Sequence, residues 1–246
     1  MRKIRIAFAA LFIIPILILS LVYAFLPALF LRLLRLKEAE NRHLRRCGHF
    51  IGNSIMFFLG ITVHVDGRDN LPDGTNICYI ANHQSLLDIV AFVGPANLWA
   101  AILAKAEVKR IPIINLWCYA LDCIFIDRKS PHDAIKAILR GVEQLKQGKS
   151  MLVFPEGTRS KSGRIGELKS GSLKLATRSK TVIVPITIKG MRAGFEHLKG
   201  FGRVHAYFSI GKPIPTATLS SEEIASLHEV VYGAIAKRFD ELPGQV

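Results

Sequence analysis

The chain opens on a long stretch without polar relief and settles, past Gly60, into short apolar runs alternating with amphipathic segments. From Ile6 to Leu31 no side chain is ionisable and every helical face is apolar, the pattern of a helix surrounded by lipid or by protein core. Such a helix is about 39 Å long against a hydrocarbon layer of about 30 Å, so it is long enough to span. A second apolar stretch, Phe50 to Ile61, has the length of an interfacial or buried helix. The expectation is a two-helix membrane-anchoring segment over residues 1–60, followed by a folded domain over 61–246.

Within that domain Ile61 to Val65, Ile77 to Ala81, Cys123 to Ile126, Met151 to Phe154, Thr181 to Ile188 and Val204 to Ile210 read as strands. A helix is predicted over Pro131 to Gln147, with Ser130 as its N-cap, Pro131 at the first position and Gly148 beyond its end. Another follows Ser220 and Glu223, which have capping-box spacing, and runs to about Phe239. Strands separated by helices imply an α/β fold with a largely parallel central sheet flanked by helices, whose ligands gather at the carboxyl ends of the strands.

The formal net charge of +14 changes the picture less than its distribution does. Arg32, Arg35, Lys37, Arg42, Arg45 and Arg46 directly follow the apolar segment, and a second basic run extends from Arg159 to Lys180. A membrane surface and an anionic small substrate suit that placement better than nucleic acid, with a solvated basic helix face as the plain alternative for the first cluster. Arg2, Lys3 and Arg5 allow a secretory signal as a rival reading, although no small-x-small cleavage site follows cleanly. Positive charge on both flanks leaves the orientation of a spanning helix open. Cys47, Cys78, Cys118 and Cys123 form neither a Cys-x-x-Cys pair nor a zinc set with histidines, and read as buried thiols in a reducing compartment; no metal site is expected.

Candidate chemistry stands at three strand ends. His83 follows Ile77 to Ala81, Asp127-Arg128 follows Cys123 to Ile126, and Glu156 to Arg159 follows Met151 to Phe154; if the strands are parallel neighbours, the three loops converge. A histidine base needs a partner that fixes its tautomer, and Asp88 can supply it when His83 lies in the turn before the helix. Ser85 and Asp88 also have capping-box spacing, which would leave His83 an ordinary loop histidine. Gly157, Thr158 and Arg159 offer a phosphate a close backbone approach, a hydroxyl and a guanidinium fork. Glu156 fits there by accepting from a substrate hydroxyl or by holding Arg159 or Arg128; a turn with a surface ion pair is the plain alternative.

Taken together, Asn82-His83-Gln84-Ser85-Leu86-Leu87-Asp88, Phe125-Ile126-Asp127-Arg128, Phe154-Pro155-Glu156-Gly157-Thr158-Arg159-Ser160 and Val184-Pro185-Ile186 resemble, in order and spacing, the four motifs of the glycerolipid acyltransferases. The resemblance covers about Gly60 to Ile210. It implies His83 and Asp88 as the catalytic pair, the second and third motifs as binders of an acceptor's glycerol phosphate through Arg128, Glu156, Gly157, Thr158 and Arg159, and Lys105 as a further phosphate ligand. It also implies an acyl-CoA or acyl-carrier-protein thioester as donor, the free sn-2 hydroxyl of 1-acyl-glycerol-3-phosphate as acceptor, no cofactor, and a place at the inner membrane with the catalytic domain on the cytoplasmic side. Asp122 departs from the family, which often carries glycine there. Other lysophospholipid or glycerophosphate acceptors, a membrane-bound thioesterase or lipid hydrolase using water, and a non-enzymatic membrane tether are the competing classes.

Overall fold

The computed structural model describes residues 2–73, 76–127, 130–160, 163–195 and 202–243. The helices are α1 (Arg2–Ser20), α2 (Leu26–Leu33), α3 (Lys37–Phe58), α4 (Leu87–Val93), α5 (Ile114–Ala120), α6 (Pro131–Lys146), α7 (Lys174–Ser179), α8 (Met191–Phe195) and α9 (Ser221–Glu241). The strands are β1 (Ile61–Asp66), β2 (Ile77–Ala81), β3 (Ala101–Lys105), β4 (Ile124–Ile126), β5 (Met151–Val153), β6 (Val182–Lys189) and β7 (Val204–Ile210). Residues 1–64, 86–99 and 190–206 form one compact body, and residues 65–85, 100–189 and 207–246 form another.

In the first body α1 and α2 join through one π-helical turn, Leu21–Phe25, so that Ile4–Leu33 is a single helix long and apolar enough to cross a membrane. A π turn loosens the regular backbone ladder; His43 on α3 answers it, its Nε2 lying 3.2 Å from the carbonyl of Tyr23 and 3.1 Å from that of Ala24. The anchor expected as two apolar helices therefore contains one. Phe50 to Ile61 instead forms the last turns of α3 and the start of β1, and α3 begins in the basic cluster at Lys37. Several of those cations are engaged: Arg32 pairs with the buried Glu40 at 2.7 Å, and Arg45 donates to the carbonyl of Asn97 at 2.9 Å. Arg5 is buried, and its guanidinium donates to the carbonyls of Gly202, Leu59 and Gly60. Gly52 of α3 and Gly94 after α4 let two backbones touch, since a Cβ at Gly52 would sit 2.6 Å from the Cα of Gly94.

The strand order is β1-β7-β6-β2-β5-β3-β4, and the second body holds β2 to β6 entire. β2 runs parallel to β5 and β6, and β3 parallel to β5 and β4; β6 and β7 are antiparallel. All five residues of β2 and all three of β5 are buried, as expected of central parallel strands covered on both faces. On one face Cys78, Ile80, Met151, Val153 and Ile183 pack with Ala137 and Leu145 of α6, Leu175 of α7 and Val231 of α9. Pro185 in the fourth motif lies in the interior of β6, where proline ordinarily removes a ladder bond. Its carbonyl accepts from Gly211 at 2.8 Å, in the short interval where the partner of β6 changes from β7 to the bridge between Ile183 and Ile214.

Six strands match the sequence expectation within a residue or so, and α6 and α9 begin where their caps place them. Ser130 accepts from the Asp133 N–H at 3.2 Å, and Ser220 and Glu223 form the full capping box. One strand was not expected. Ala101–Lys105 has no alternation of its own and becomes β3 because β5 and β4 supply its ladder on either side.

Candidate active site

The carboxyl ends of β2 and β5 carry the first and third motifs, and these strands are neighbours with Ile80 opposite Val153. The loops they feed are bonded to each other. Glu156 is buried, its Oε1 accepting the main-chain N–H of His83 at 2.7 Å and its Oε2 that of Gly166 at 3.0 Å. The carbonyl of His83 in turn accepts from the Ser160 N–H at 2.8 Å, and the Gln84 amide donates to the Gly163 carbonyl at 3.3 Å. The His83 ring stacks on Phe154, with centroids 4.0 Å apart and planes 21° from parallel. Asn82 completes the frame: its side chain bonds both the N–H and the carbonyl of Ile188 on β6, at 2.7 and 2.8 Å. A half-buried imidazole is thus held through both backbone groups of its own residue and by its ring on Phe154.

Asp88 lies in the first turn of α4, fully buried, in the other compact body. The cap position of α4 falls on Leu86 and not on Ser85, and Leu86 has no side chain able to cap. The helix therefore starts one residue later than the capping-box spacing suggested.

The third motif turns at Gly157, whose φ of 70° belongs to the left-handed region that glycine enters without steric cost. Thr158 and Arg159 are exposed beyond it. Lys169, which the sequence showed only as one cation in a basic run, returns over this turn: its Nζ would be 3.3 Å from a Cβ at Gly157, and its N–H donates to the Pro155 carbonyl at 3.1 Å. Arg159 and Lys169 give the loop two cations beside a polar, glycine-bent backbone, a suitable donor set for a phosphate. The role of Glu156 is more definite than the sequence allowed. Each of its oxygens accepts a main-chain N–H, so it braces the His83 and Gly166 loops together, and a Cβ at Gly166 would come within 2.6 Å of Oε2.

The second motif stands farther off. β4 is separated from β5 by β3, so β2 and β4 are three strand spacings apart, about 14 Å at 4.8 Å each. The two are parallel members of one sheet but not neighbours. Between them Lys105 ends β3, exposed, its Nζ 2.8 Å from Glu107. Phe125 of the motif packs edge-on to Tyr119, with Lys109 above its ring at 5.0 Å. Asp127 is exposed after the strand, and Arg128 lies outside the described residues.

Comparison with known proteins identifies the family. Residues 62–189 match the family model described as Acyltransferase. The 1-acyl-sn-glycerol-3-phosphate acyltransferase of Borreliella burgdorferi is 28% identical over 188 residues, 76% of this chain and 75% of that protein. The chloroplastic 1-acyl-sn-glycerol-3-phosphate acyltransferase LPAT1 of Arabidopsis thaliana is 34% identical over 69% of this chain, which spans about half, 49%, of the plant protein. The crystal structure of the 1-acyl-sn-glycerophosphate acyltransferase PlsC from Thermotoga maritima superposes with a TM-score of 0.81 at 30% identity, covering 98% of this chain and 97% of that one. The chain belongs to the acyltransferase family.

Proposed function

We propose that the protein transfers an acyl group from a thioester, acyl-CoA or acyl-carrier-protein, to the free sn-2 hydroxyl of 1-acyl-glycerol-3-phosphate, giving phosphatidic acid for phospholipid biosynthesis. The observation that carries the reading is the coupling of His83 to Glu156, because it ties a prospective base to a prospective phosphate loop through one carboxylate. The printed names of the relatives and of the matching crystal structure support the acceptor.

In this reading His83 removes the proton from the acceptor hydroxyl as its oxygen attacks the thioester carbonyl carbon. The carbon–sulfur bond then breaks, and the thiolate takes the proton from the imidazolium. Asp88 is assigned the carboxylate that orients the imidazole and stabilises its cation. Arg159, Gly157, Thr158 and Lys169 bind the glycerol phosphate, with Lys105 and Arg128 as further cationic ligands. A thioester is already activated, so a positioned base, worth about 10² to 10⁴ in rate, and the approximation of two bound substrates suffice. No cofactor is invoked. The helix Ile4–Leu33 holds the enzyme at the membrane where its acceptor resides, with the catalytic residues on the cytoplasmic side.

The test is product analysis with purified full-length protein, each donor type in turn, and a panel of lysophosphatidate, glycerol 3-phosphate and other lysophospholipids. Phosphatidate formed in proportion to lysophosphatidate, with little free fatty acid, supports the reading. Free fatty acid released at the same rate with or without acceptor makes the protein a hydrolase, and a different preferred acceptor reassigns the substrate.

A further inference from the structure

The second body carries an apolar surface that the site does not use. After β3 a 3-10 segment, Ala106–Arg110, leads through Ile111-Pro112-Ile113 into α5. Four large apolar side chains in this stretch face solvent: Ile111 is 48% exposed, Ile114 36%, Leu116 37% and Tyr119 57%. Single exposed apolar residues are ordinary, but four of them close together on one short segment mark an interaction surface.

Two features of the stretch select its partner. From Val108 to Leu121 there is no carboxylate, while Lys109 and Arg110 are exposed at its start. Isoleucine, leucine and tyrosine bordered by lysine and arginine make the composition that settles at the boundary between acyl chains and anionic headgroups. A soluble acidic protein would answer the cations but not the aliphatic group. A second copy of the chain would bring its own Lys109 and Arg110 to the same patch. A bilayer answers both features, and the chain carries a helix able to cross one, so that partner is tethered to it.

The segment also keeps its turn at a cost. Ile113 has φ of 66° and ψ of −47°, the strained γ-turn conformation that a β-branched residue rarely adopts. The turn is fastened by the Ile114 N–H on the Pro112 carbonyl at 2.7 Å and the Asn115 N–H on that of Ile111 at 3.0 Å. Strain held this firmly on a solvent-facing apolar loop is consistent with a surface shaped for contact.

We infer that Ile111, Ile114, Leu116 and Tyr119, with Lys109 and Arg110, form an interfacial contact with an anionic lipid surface, separate from the N-terminal helix. Tyr119 and Lys109 both rest on Phe125 of the second motif, so this contact brings the β4 end of the sheet to the headgroup layer. The inference rests on exposure and charge and stands whichever acceptor the enzyme prefers.

The test places one tryptophan at the patch, Tyr119→Trp with Trp99→Phe and Trp117→Phe, in the full chain bound to vesicles of phosphatidylcholine and phosphatidylglycerol. A blue-shifted emission, quenched by bromine on the acyl chains and shielded from aqueous iodide, is expected. Adding Lys109→Glu and Arg110→Glu should abolish the quenching while the chain stays on the vesicle. Emission unchanged by vesicles overturns the inference, as does a blue shift that depends on protein concentration without lipid, which would mean self-association. The unaltered chain gives a second reading with a photoactivatable phosphatidylglycerol: adducts within residues 108–121 support the contact, and adducts confined to the first three helices contradict it.

Discussion

Glu156 Oε1 accepts the main-chain N–H of His83 at 2.7 Å, joining two loops 73 residues apart in the chain. The second oxygen holds Gly166, so one buried carboxylate sets the backbone of the prospective base and the far side of the phosphate loop. Replacing it tests whether the loops act as a unit. Glu156→Ala strands two buried N–H donors, each costing about 1–3 kcal/mol. We expect transfer to fall at least tenfold in kcat with the donor KM little changed. Glu156→Gln keeps one acceptor oxygen and should be intermediate; steady-state kinetics of both variants, with circular dichroism to confirm folding, check this.

The phosphate assignment separates from the brace by substrate. Arg159→Ala should raise the KM for lysophosphatidate by tenfold or more and leave that for the thioester within about twofold, the loss of a charge-assisted contact being worth roughly 1.5–3 kcal/mol. Lys169→Ala should act in the same direction and more weakly, because an ammonium lacks the bidentate fork. Equal effects on donor and acceptor would remove both residues from the phosphate site.

Gly52 and Gly94 set the position of α4, whose first turn holds Asp88. A methyl at Gly52 meets backbone at 2.6 Å, an obstacle that no side-chain rotation relieves. Gly52→Ala should cost about 1–3 kcal/mol by overpacking and lower the melting temperature by roughly 3–10 °C. Activity should fall with it, since α4 must shift. A variant as stable and as active as the parent would show that the helices have room to spare.

Much of this could be read from the sequence where local rules and burial agree. Ile77 to Ala81 is an unbroken apolar run between two asparagines, and its strand bounds came out as read. Ser220 and Glu223 carry their own capping chemistry and mark the start of α9. Ala101–Lys105 was missed because nothing in its five residues alternates; neighbouring strands make it a strand. The bracing role of Glu156 was not legible because its partners are main-chain N–H groups, which sequence does not display. Lys169 was indistinct for a similar reason, since its position over Gly157 depends on a loop that returns.

The thiols provide a check on local geometry. α5 ends in a Schellman motif, with the Cys123 N–H on the Cys118 carbonyl at 2.8 Å, the Asp122 N–H on that of Tyr119 at 3.0 Å, and Asp122 left-handed where the family often has glycine. The motif brings the Cys118 and Cys123 side chains together. A hydrogen bond from Cys123 holds the Cys118 thiol below its ordinary range, while that bond and burial push Cys123 up. Burial pushes Cys78 up to about 12 and also raises Cys47. Thiolate is the reactive form and Cys78 is fully buried, so alkylation of the native protein near pH 8, mapped by mass spectrometry, should modify Cys118 first and Cys78 last. Early modification of Cys78 would mean that the sheet core opens.

The central assignment is His83 as the base that activates an acceptor hydroxyl. Its most direct measurement is phosphatidate formation from acyl thioester and lysophosphatidate by folded His83→Ala. Loss of about 10² to 10⁴ in kcat, with lysophosphatidate still bound, is expected of a missing general base. Transfer at a near-parental rate would contradict it.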